Sequence, residues 1–282
     1  MNGCGDKWQL TEWEQVWEQK RTHQGFNRKI PLVALIRVRN EELILQDTLD
    51  HICEFADGIC AYDDASADET SNILKLHKKV LLIIQNRQWQ SDIESRLLCE
   101  TRHRGLLLQE ARRRFPFEWC MCCDADERYV GPIREFVTGP EDRQPAAVKI
   151  RLFDAYMTEG DDHPFEKGRR LLNFRRFFGP ECRDILMLWK NDHRVEFKGL
   201  DSREPIVPSD AEMKFFCQHY GKSISYEQWE DTCNYYVNHF PWEPYGKKWA
   251  ERKGRALHVK SDSGSQLYEW GAELFRNAVK IY

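Results

Sequence analysis

The segment Phe117-Glu-Trp-Cys-Met-Cys-Cys-Asp-Ala-Asp-Glu-Arg-Tyr129 joins an apolar run to an acidic cluster. The apolar run from Trp119 to Cys123 is typical of a buried β-strand, and it ends at Asp124-Ala-Asp-Glu127. If the backbone is still extended there, the Asp124 and Asp126 side chains point to the same side, about 6–7 Å apart. One hard divalent cation can then be reached from both carboxylates, directly or through water. A solvated acidic loop is the alternative interpretation of these residues.

Two earlier apolar runs end in polar clusters in the same way. Residues 32–36 run into Arg37-Val-Arg-Asn-Glu-Glu42, and residues 56–62 run into Asp63-Asp-Ala-Ser-Ala-Asp-Glu-Thr70. A third run covers residues 80–84, and helical patterns separate the runs. This alternation predicts an α/β fold with a parallel, doubly wound sheet. Ligands bind such sheets at the carboxyl ends of the strands, so the polar clusters predict one shared site.

The elements outside this core are predicted from periodicity and capping patterns. Thr11-Glu-Trp-Glu14 has the capping-box form and predicts an amphipathic helix in residues 1–29. Its tryptophan stripe would dock on the parent domain or contact a partner or a membrane surface. A second capping box at Ser225 predicts another helix. Further predicted elements are an arginine-rich helix over 91–115, a strand over 147–153, a short strand near 206–207, and helical segments over 244–257 and 266–279.

Composition narrows the class of protein. The 282 residues carry a net charge of -4, which argues against a general binder of nucleic acid or anionic membranes. No apolar run approaches the roughly 20 residues that a transmembrane helix needs, and residues 1–10 have no signal-peptide pattern. The ten cysteines are scattered through apolar segments, without zinc-ribbon spacing. We therefore expect reduced thiols and a cytoplasmic location.

Several motifs resemble those of GT-A-fold glycosyltransferases of family two. Val38-Arg-Asn-Glu41 resembles their "VKNE", residues 63–70 resemble "DDGSTDGT", and Asp124-Ala-Asp-Glu127 is identical to the "DADE" form of their D-x-D motif. Gln218-His-Tyr-Gly221, followed by a serine, resembles a later "HYG…S" element, and Arg203-Glu204 takes the place of "HE". The motifs occur in the family's order over roughly residues 30 to 240. The departures are the absence of both glycines of "DDGSTDGT", an arginine in place of the lysine of "VKNE", and Arg203 in place of a histidine.

This resemblance implies a GT-A fold, Rossmann-like with a mostly parallel sheet and extra C-terminal helices. Residues 30–130 would form the nucleotide-sugar half and residues 131–240 the acceptor half, followed by a helical segment over 241–282. The donor would be a nucleotide sugar, usually a UDP-sugar, and the acceptor a hydroxyl of a glycan or glycoprotein. The residues expected to bind the donor are Arg37, Val38, Arg39, Glu41, Asp63, Asp64, Arg102, Asp124 and Ala125.

A divalent cation is expected on the D-x-D motif. Asp126 is the predicted direct ligand, with Asp124 acting through water, and His219 is the candidate third ligand. Oxygen ligands suit both Mg²⁺ and Mn²⁺, and an added histidine favours Mn²⁺. The alternative interpretation of His219, in an apolar segment, is a satisfied core residue.

The family inverts the anomeric centre, which requires a carboxylate as general base on the acceptor side. Glu204 is the first candidate because it matches the glutamate of "HE" and precedes Pro205, which favours an extended backbone. Asp201 is the second, three residues away on the same loop. Asp184 and Asp192 complete the set.

Two other classes of function compete with this one. A nucleotidyltransferase also uses a doubly wound sheet with acidic metal ligands, but it normally has a glycine-rich loop after the first strand. Residues 37–42 contain no glycine. A carbohydrate-binding protein that kept the fold and lost the chemistry is the non-enzymatic alternative.

Within the family, soluble relatives occur in bacterial polysaccharide pathways and in large algal viruses. The viral type would act in the host cytoplasm, with UDP-xylose as one candidate donor.

Overall fold

A computed structural model describes residues 7–19, 29–141 and 144–281 of the chain. Its centre is one sheet to which residues on both sides of position 130 contribute strands. Nine strands follow one another in the order β1-β4-β3-β2-β5-β8-β7-β9-β6, and two short ones, β10 and β11, pair with β8. The strands are β1 Glu14–Glu18, β2 Ile30–Val38, β3 Gly58–Asp64, β4 Val80–Asn86, β5 Phe117–Asp124, β6 Glu127–Val130, β7 Ala147–Tyr156, β8 Phe177–Lys190, β9 Ala211–His219, β10 Tyr268–Glu269 and β11 Val279–Lys280. The helices are α1 Leu45–Ile52, α2 Thr70–Leu76, α3 Ile93–Arg114, α4 Ile133–Val137, α5 Tyr226–His239, α6 Lys247–Arg252 and α7 Ala272–Arg276.

Four parallel strands, β4-β3-β2-β5, form the core that the apolar runs predict. Leu45, Leu49 and Leu74 from α1 and α2 pack on one face of the sheet. Leu106 and Ala111 from α3 pack on the other face. The predicted α/β, doubly wound class is therefore confirmed. The chain turns back between β2 and β5, and this switch in strand order is where such sheets open a crevice for ligands.

The register of the parallel strands brings the polar clusters together. Arg37, near the end of β2, lies opposite Tyr62 of β3 and opposite Asp124 of β5. One residue later, Val38 pairs with Asp63. The motifs that are far apart in sequence therefore meet at one edge of the sheet.

The second half of the chain extends the sheet with mostly antiparallel pairs. β8 is a strand of 14 residues that pairs with β5 and β7, and the sequence patterns did not predict it. β6 follows directly after the D-x-D motif and pairs with β9, so that Glu127 lies opposite His219. This pairing brings the histidine to the acidic motif. Near residue 206 the structure has only an isolated bridge between Glu196 and Ile206.

The predicted N-terminal helix is wrong for the residues that the structure describes. Glu14–Glu18 is an antiparallel edge strand on β4. Val16 packs in the α3-side core and Trp17 in the opposite one, which is the two-residue alternation of a strand. The Thr11–Glu14 contact does form, with the Thr11 amide donating to the Glu14 carboxylate at 2.8 Å, but it closes a turn. Pairing with the open edge of β4 outweighs the local helical preference; residues 20–28 lie outside the described part.

The C-terminal prediction holds in part. The Ser225 hydroxyl accepts from the Gln228 amide at 3.1 Å and caps α5, as the capping box predicts. The predicted helix over 244–257 is reduced to a π-helical turn, Trp242–Gly246, followed by α6. The one predicted over 266–279 is reduced to α7, between two short strands that pair with β8. Among the described residues, no helix combines the length and the apolar character that crossing a bilayer requires.

Candidate functional site

Asp64 lies fully buried at the end of β3 and holds two arginines in place. Its carboxylate accepts from Arg37 at 3.0 Å, from Arg96 at 2.8 Å and from Asn86 at 3.2 Å. Burial alone would raise the pKa of Asp64, but His103, Arg37 and Arg96 hold it well below its usual range. With both oxygens engaged, Asp64 orders the guanidinium groups and is not free for a ligand.

Asp63 differs from its neighbour because one carboxylate oxygen has no partner. Oδ1 accepts from the Ser66 amide at 3.0 Å, while Oδ2 is buried without a hydrogen bond to any described residue. Burial raises the pKa of this carboxyl group. Buried polar atoms are normally satisfied, so Oδ2 is a candidate acceptor for a ligand N–H or O–H.

Unsatisfied donors accompany this oxygen. The Arg39 guanidinium lies 3.9 Å from the centre of the Trp89 ring, and Arg96 lies on the same ring at 5.4 Å. Nε of Arg39, Nε of Arg96 and Nε1 of Trp89 are all buried without a described partner. Flat cationic and aromatic groups with free N–H donors are suited to a planar, polar ligand.

Asp124, the first acid of the D-x-D motif, is held by two arginines. Arg104 of α3 contacts its carboxylate at 2.6 Å and Arg203 at 3.2 Å. Burial alone would raise the pKa of Asp124, but Arg104 and Arg203 keep it well below its usual range. Arg203 also bonds the fully buried Glu127. Arg203 is therefore part of the acidic cluster.

Asp126, the second acid, faces His219. Their closest atoms, Asp126 Oδ2 and His219 Nε2, are 3.3 Å apart, and the other ring nitrogen, Nδ1, contacts Asp154 at 2.6 Å. Burial would lower the pKa of His219, but Asp126 and Asp154 raise it to about 9. His219 is therefore not an isolated core residue, and it offers a ligand atom beside Asp126.

Three further predicted residues lie on the same edge. Glu41 is half-buried, and burial together with Asp126 and Asp124 raises its pKa well above the ordinary value. Val38 is buried in the core, and the Ala125 carbonyl accepts from Thr48 at 2.6 Å. The Val38 side chain and the Ala125 carbonyl are therefore engaged within the protein, and they support the site structurally.

The predicted metal ligands are brought together only in part. Asp126 and His219 are in contact, whereas the Asp124 carboxylate faces Arg104 and Arg203. Within the described ranges, Asp64, Cys99 and His103 have ligand atoms within 4.8 Å of one another. The Arg37 guanidinium occupies the space between these ligand atoms, since it donates to His103 at 3.1 Å and to Asp64 at 3.0 Å. It is an arginine-binding cluster, not a candidate metal site.

The prediction for Arg102 needs correction. Its guanidinium bonds the Glu14 carboxylate of β1 at 2.5 Å and the Gln9 carbonyl at 2.9 Å, away from the strand ends. Arg96 and Arg104 reach the strand ends instead. The helical repeat contained this signal: residues 96, 100 and 104 follow at four-residue spacing on one face, and residue 102 lies roughly 200° around the axis from residue 100.

The two candidate bases have different surroundings. The exposed Glu204 carboxylate accepts from the Leu186 amide of β8. Asp201 is half-buried and accepts from the Tyr245 hydroxyl at 3.1 Å. Burial and the nearby Glu100 raise the pKa of Asp201. Asp184 is paired with Arg151 and Asp192 with Arg194, outside the cluster.

An aromatic segment that the motifs did not predict closes this side of the site. Tyr236 of α5 stacks on Trp249 with a centroid distance of 4.7 Å, and His239 contacts the Ser91 carbonyl at 2.8 Å. His239 thus connects α5 to the residues just before α3. The hydroxyl of Tyr245, in the turn after α5, donates to Asp201 and connects that turn to the Asp201 loop. Spaced aromatic residues in the C-terminal part of the sequence were the available signal.

Comparison with known proteins gives only distant likenesses. No protein-family model matches the chain, and no curated protein matches it. Among solved structures, the mannosyltransferase PcManGT from Pyrobaculum calidifontis, in complex with GDP-Man and Mn²⁺, matches 82% of this chain and 66% of its own at 15% identity, with a TM-score of 0.37. TarS of S. aureus matches 78% of this chain and 42% of its own at 13% identity, with a TM-score of 0.36. Glucosyl-3-phosphoglycerate synthase from Mycobacterium tuberculosis matches 46% of this chain and 44% of its own at 16% identity, with a TM-score of 0.27.

These likenesses are too remote to carry a functional argument. The chain spans about two thirds of the length of the first structure and less than half of the other two.

Proposed function

We propose that the protein is a glycosyltransferase that moves a sugar from a nucleotide-sugar donor to a hydroxyl of a glycan or glycoprotein. One observation carries the proposal. The buried Asp63 oxygen, which has no partner among the described residues, and the contact between Asp126 and His219 lie on the same sheet edge as the arginines paired with Asp64 and Asp124. A nucleotide sugar has matching parts in the same order: a flat base with N–H groups, an anionic diphosphate and a sugar.

The base end is supported by the unsatisfied atoms around Asp63. Asp63 Oδ2 can accept from a ring N–H such as that of uracil, and Arg39, which follows the Val38–Asp63 pair in the chain, offers a flat surface together with Trp89. We propose a UDP-sugar as the donor, in line with the family resemblance of the motifs.

The diphosphate end is supported by the charges around the D-x-D motif. Arg37, Arg104 and Arg203 place guanidinium groups at the strand ends, and guanidinium geometry matches phosphate oxygens. Asp126 and His219 fit a divalent cation, because a carboxylate and an imidazole lie side by side and the other ring nitrogen bonds a second carboxylate. Mn²⁺ or Mg²⁺ held there by Asp126 and His219 would supply positive charge for the departing diphosphate, next to the two arginines that Asp124 holds.

For the acceptor side we propose Asp201 as the general base, ahead of Glu204. Inversion is a single displacement through an oxocarbenium-like state, and the base takes the proton of the attacking hydroxyl. Burial raises the pKa of Asp201, which makes it a stronger proton acceptor than an exposed aspartate, whereas Glu204 is engaged by a β8 amide.

Incubation of the protein with a panel of nucleotide sugars, with and without Mn²⁺, tests the proposal. UDP release from one donor, stimulated by the metal and abolished by EDTA, is the expected result. A matching rise in melting temperature with that donor would report specific binding. The panel includes UDP-xylose and GDP-sugars, so that the base and sugar preferences are read from the same experiment.

The alternatives give different products. A nucleotidyltransferase would release pyrophosphate from a nucleoside triphosphate and a sugar phosphate, and a binding protein without chemistry would be stabilised by a donor without releasing UDP. Either result excludes glycosyl transfer as the activity.

A further inference from the structure

Asp154 is an acidic residue of β7 that none of the sequence motifs includes. It lies directly opposite His219 in the parallel pairing of β7 with β9. Its side chain is largely buried, with 12% exposed, and its carboxylate contacts His219 Nδ1 at 2.6 Å. Because cross-strand neighbours lie on the same face of a sheet, the contact is built into the register of the two strands.

The Asp154 carboxylate is itself fixed from two other sides. Oδ1 also accepts from Arg183 of β8 at 2.6 Å, and Oδ2 accepts from Lys222 at 2.9 Å. Lys222 is in turn bonded to Asp262, at 2.6 Å. Two cationic donors, together with the ring nitrogen of His219, keep this carboxylate ionised and leave it little freedom to rotate.

This arrangement determines which nitrogen of His219 faces the D-x-D motif. A carboxylate can only accept at Nδ1, so Nδ1 carries a proton, and Nε2, 3.3 Å from Asp126, is the nitrogen whose proton a cation would replace. Gly221 makes room for this approach: a Cβ at that position would lie 2.7 Å from Asp126 Oδ2 and 3.0 Å from His219 Nε2.

We propose that Asp154 is the positioning residue of the divalent-cation site, holding the His219 ring so that Nε2 and Asp126 bind one cation together. The inference rests on the proposed function insofar as that function includes the cation. A carboxylate on the far nitrogen of a ligating imidazole fixes its tautomer and orientation, and losing such a partner typically weakens metal binding about 10–100-fold.

Direct titration of the donor-free protein with Mn²⁺, followed by electron paramagnetic resonance, tests the proposal without an activity assay. Asp154→Asn is expected to weaken binding about 10–100-fold, because the amide can offer an N–H where the ring needs an acceptor. The matched control is Asp184→Asn on the neighbouring strand β8. Asp184 is also largely buried and paired with an arginine, Arg151, at 2.7 Å, but it does not touch His219. The control should bind Mn²⁺ like the unmodified protein.

A second readout separates positioning from general loss of structure. Coupling of bound Mn²⁺ to an imidazole nitrogen, seen by electron spin-echo modulation, should be present in the unmodified protein. It should be weakened in Asp154→Asn and absent in His219→Ala. In the His219→Ala background, adding Asp154→Asn should change Mn²⁺ affinity no further, since the ring that it positions is gone.

The outcomes are distinguishable. Weaker binding in His219→Ala with unchanged binding in Asp154→Asn overturns the role of Asp154 alone, while unchanged binding in both overturns the cation site of the proposed function. If Asp154→Asn does not fold, Arg183→Gln removes one anchor from a partly exposed position. Binding should then fall by a few-fold, and unchanged affinity overturns the proposal.

Discussion

Arg203 and Asp124 form an ion pair of 3.2 Å that joins the loop before residue 206 to the end of β5. The same carboxylate holds Arg104 at 2.6 Å. Two guanidinium groups on one acid neutralise the first position of the D-x-D motif within the protein itself. They leave Asp126, beside His219, as the acid with a free role in cation binding.

Removing Asp126 should therefore abolish metal-dependent turnover. In Asp126→Ala we expect nearly all UDP release to be lost and Mn²⁺ binding to fall, because His219 loses the oxygen ligand beside it. The melting temperature should stay within a few degrees, since the change relieves repulsion among Asp126, Asp124 and Glu41. Asp210→Ala, on the exposed surface, is the control for removal of a carboxylate. A fully active Asp126→Ala protein would contradict the assignment of the site.

The nucleotide pocket is tested at Asp63. Asp63→Ala removes the buried acceptor, so UDP binding measured by calorimetry should weaken by about 1–3 kcal/mol, the usual effect of losing a buried hydrogen-bond partner. Asp57→Ala, just before the other end of β3, is the control because Asp57 pairs with Arg134 and not with the site. Equal UDP affinity in Asp63→Ala and the unmodified protein would mean that the base binds elsewhere.

Substituting Arg102 should lower the stability of the fold, whereas substituting Arg96 should weaken donor binding. Arg102→Met leaves the buried Glu14 without its arginine partner. Breaking a fully buried ion pair costs roughly 3–5 kcal/mol, and because Arg102 is partly exposed we expect the free energy of unfolding to fall by less than that. Donor affinity should be retained. Arg96→Met, at the strand ends, should weaken donor binding because Arg96 contacts both Asp64 and the Trp89 ring. Urea denaturation and UDP titration of both variants measure the two effects, and a loss of UDP affinity confined to Arg102→Met would restore the original assignment.

The sequence predicted the elements whose signal is local. Residues 32–36, 59–62, 80–84 and 119–123 are continuous apolar runs within strands of the parallel core, and the strand predicted from residue 56 starts at Gly58. β8 escaped prediction because Gly179, Pro180 and several charged residues interrupt its pattern, and its stability comes from pairing with β5 and β7.

The site was predictable to the extent that strand ends define it. Asp63, Asp64, Asp124 and Asp126 reach the expected edge because register is set by the same apolar runs. The partners of those acids were not predictable, because they depend on contacts distant in sequence. Arg203 reaches Asp124 across 79 positions, and Asp154 meets His219 only through the pairing of β7 with β9. The N-terminal segment was mistaken for a helix because its capping pattern is local while its pairing with β4 is not.

His51 should make the fold sensitive to mild acid. Burial, with nearby Arg128 adding to it, lowers the pKa of His51 from 6.5 to about 4. The unfolded chain therefore binds the proton more readily, and stability that is fully present above pH 6.5 is lost as pH falls toward 4. Urea midpoints measured between pH 7 and pH 4 should fall less steeply in His51→Gln than in the unmodified protein. His193→Gln is the control, because that side chain is 92% exposed and should leave the slope unchanged. Identical slopes for His51→Gln and the unmodified protein would show that another group dominates acid sensitivity.

Substitutions at Asp201 and Glu204 should have opposite effects on turnover if Asp201 is the general base. If Asp201 takes the acceptor proton, Asp201→Asn should keep donor affinity and lose turnover by about 10²–10⁴-fold, the usual contribution of a general base. Glu204→Gln should stay within a few-fold of the unmodified enzyme, since Glu204 serves a β8 amide. Because burial and Glu100 raise the pKa of Asp201, the acidic limb of kcat against pH should lie above the range of an ordinary aspartate and disappear in Asp201→Asn. NMR of the product should show an inverted anomeric centre, as a single displacement requires. A large loss in Glu204→Gln with an active Asp201→Asn would move the base to Glu204, and a retained configuration would exclude single displacement for either residue.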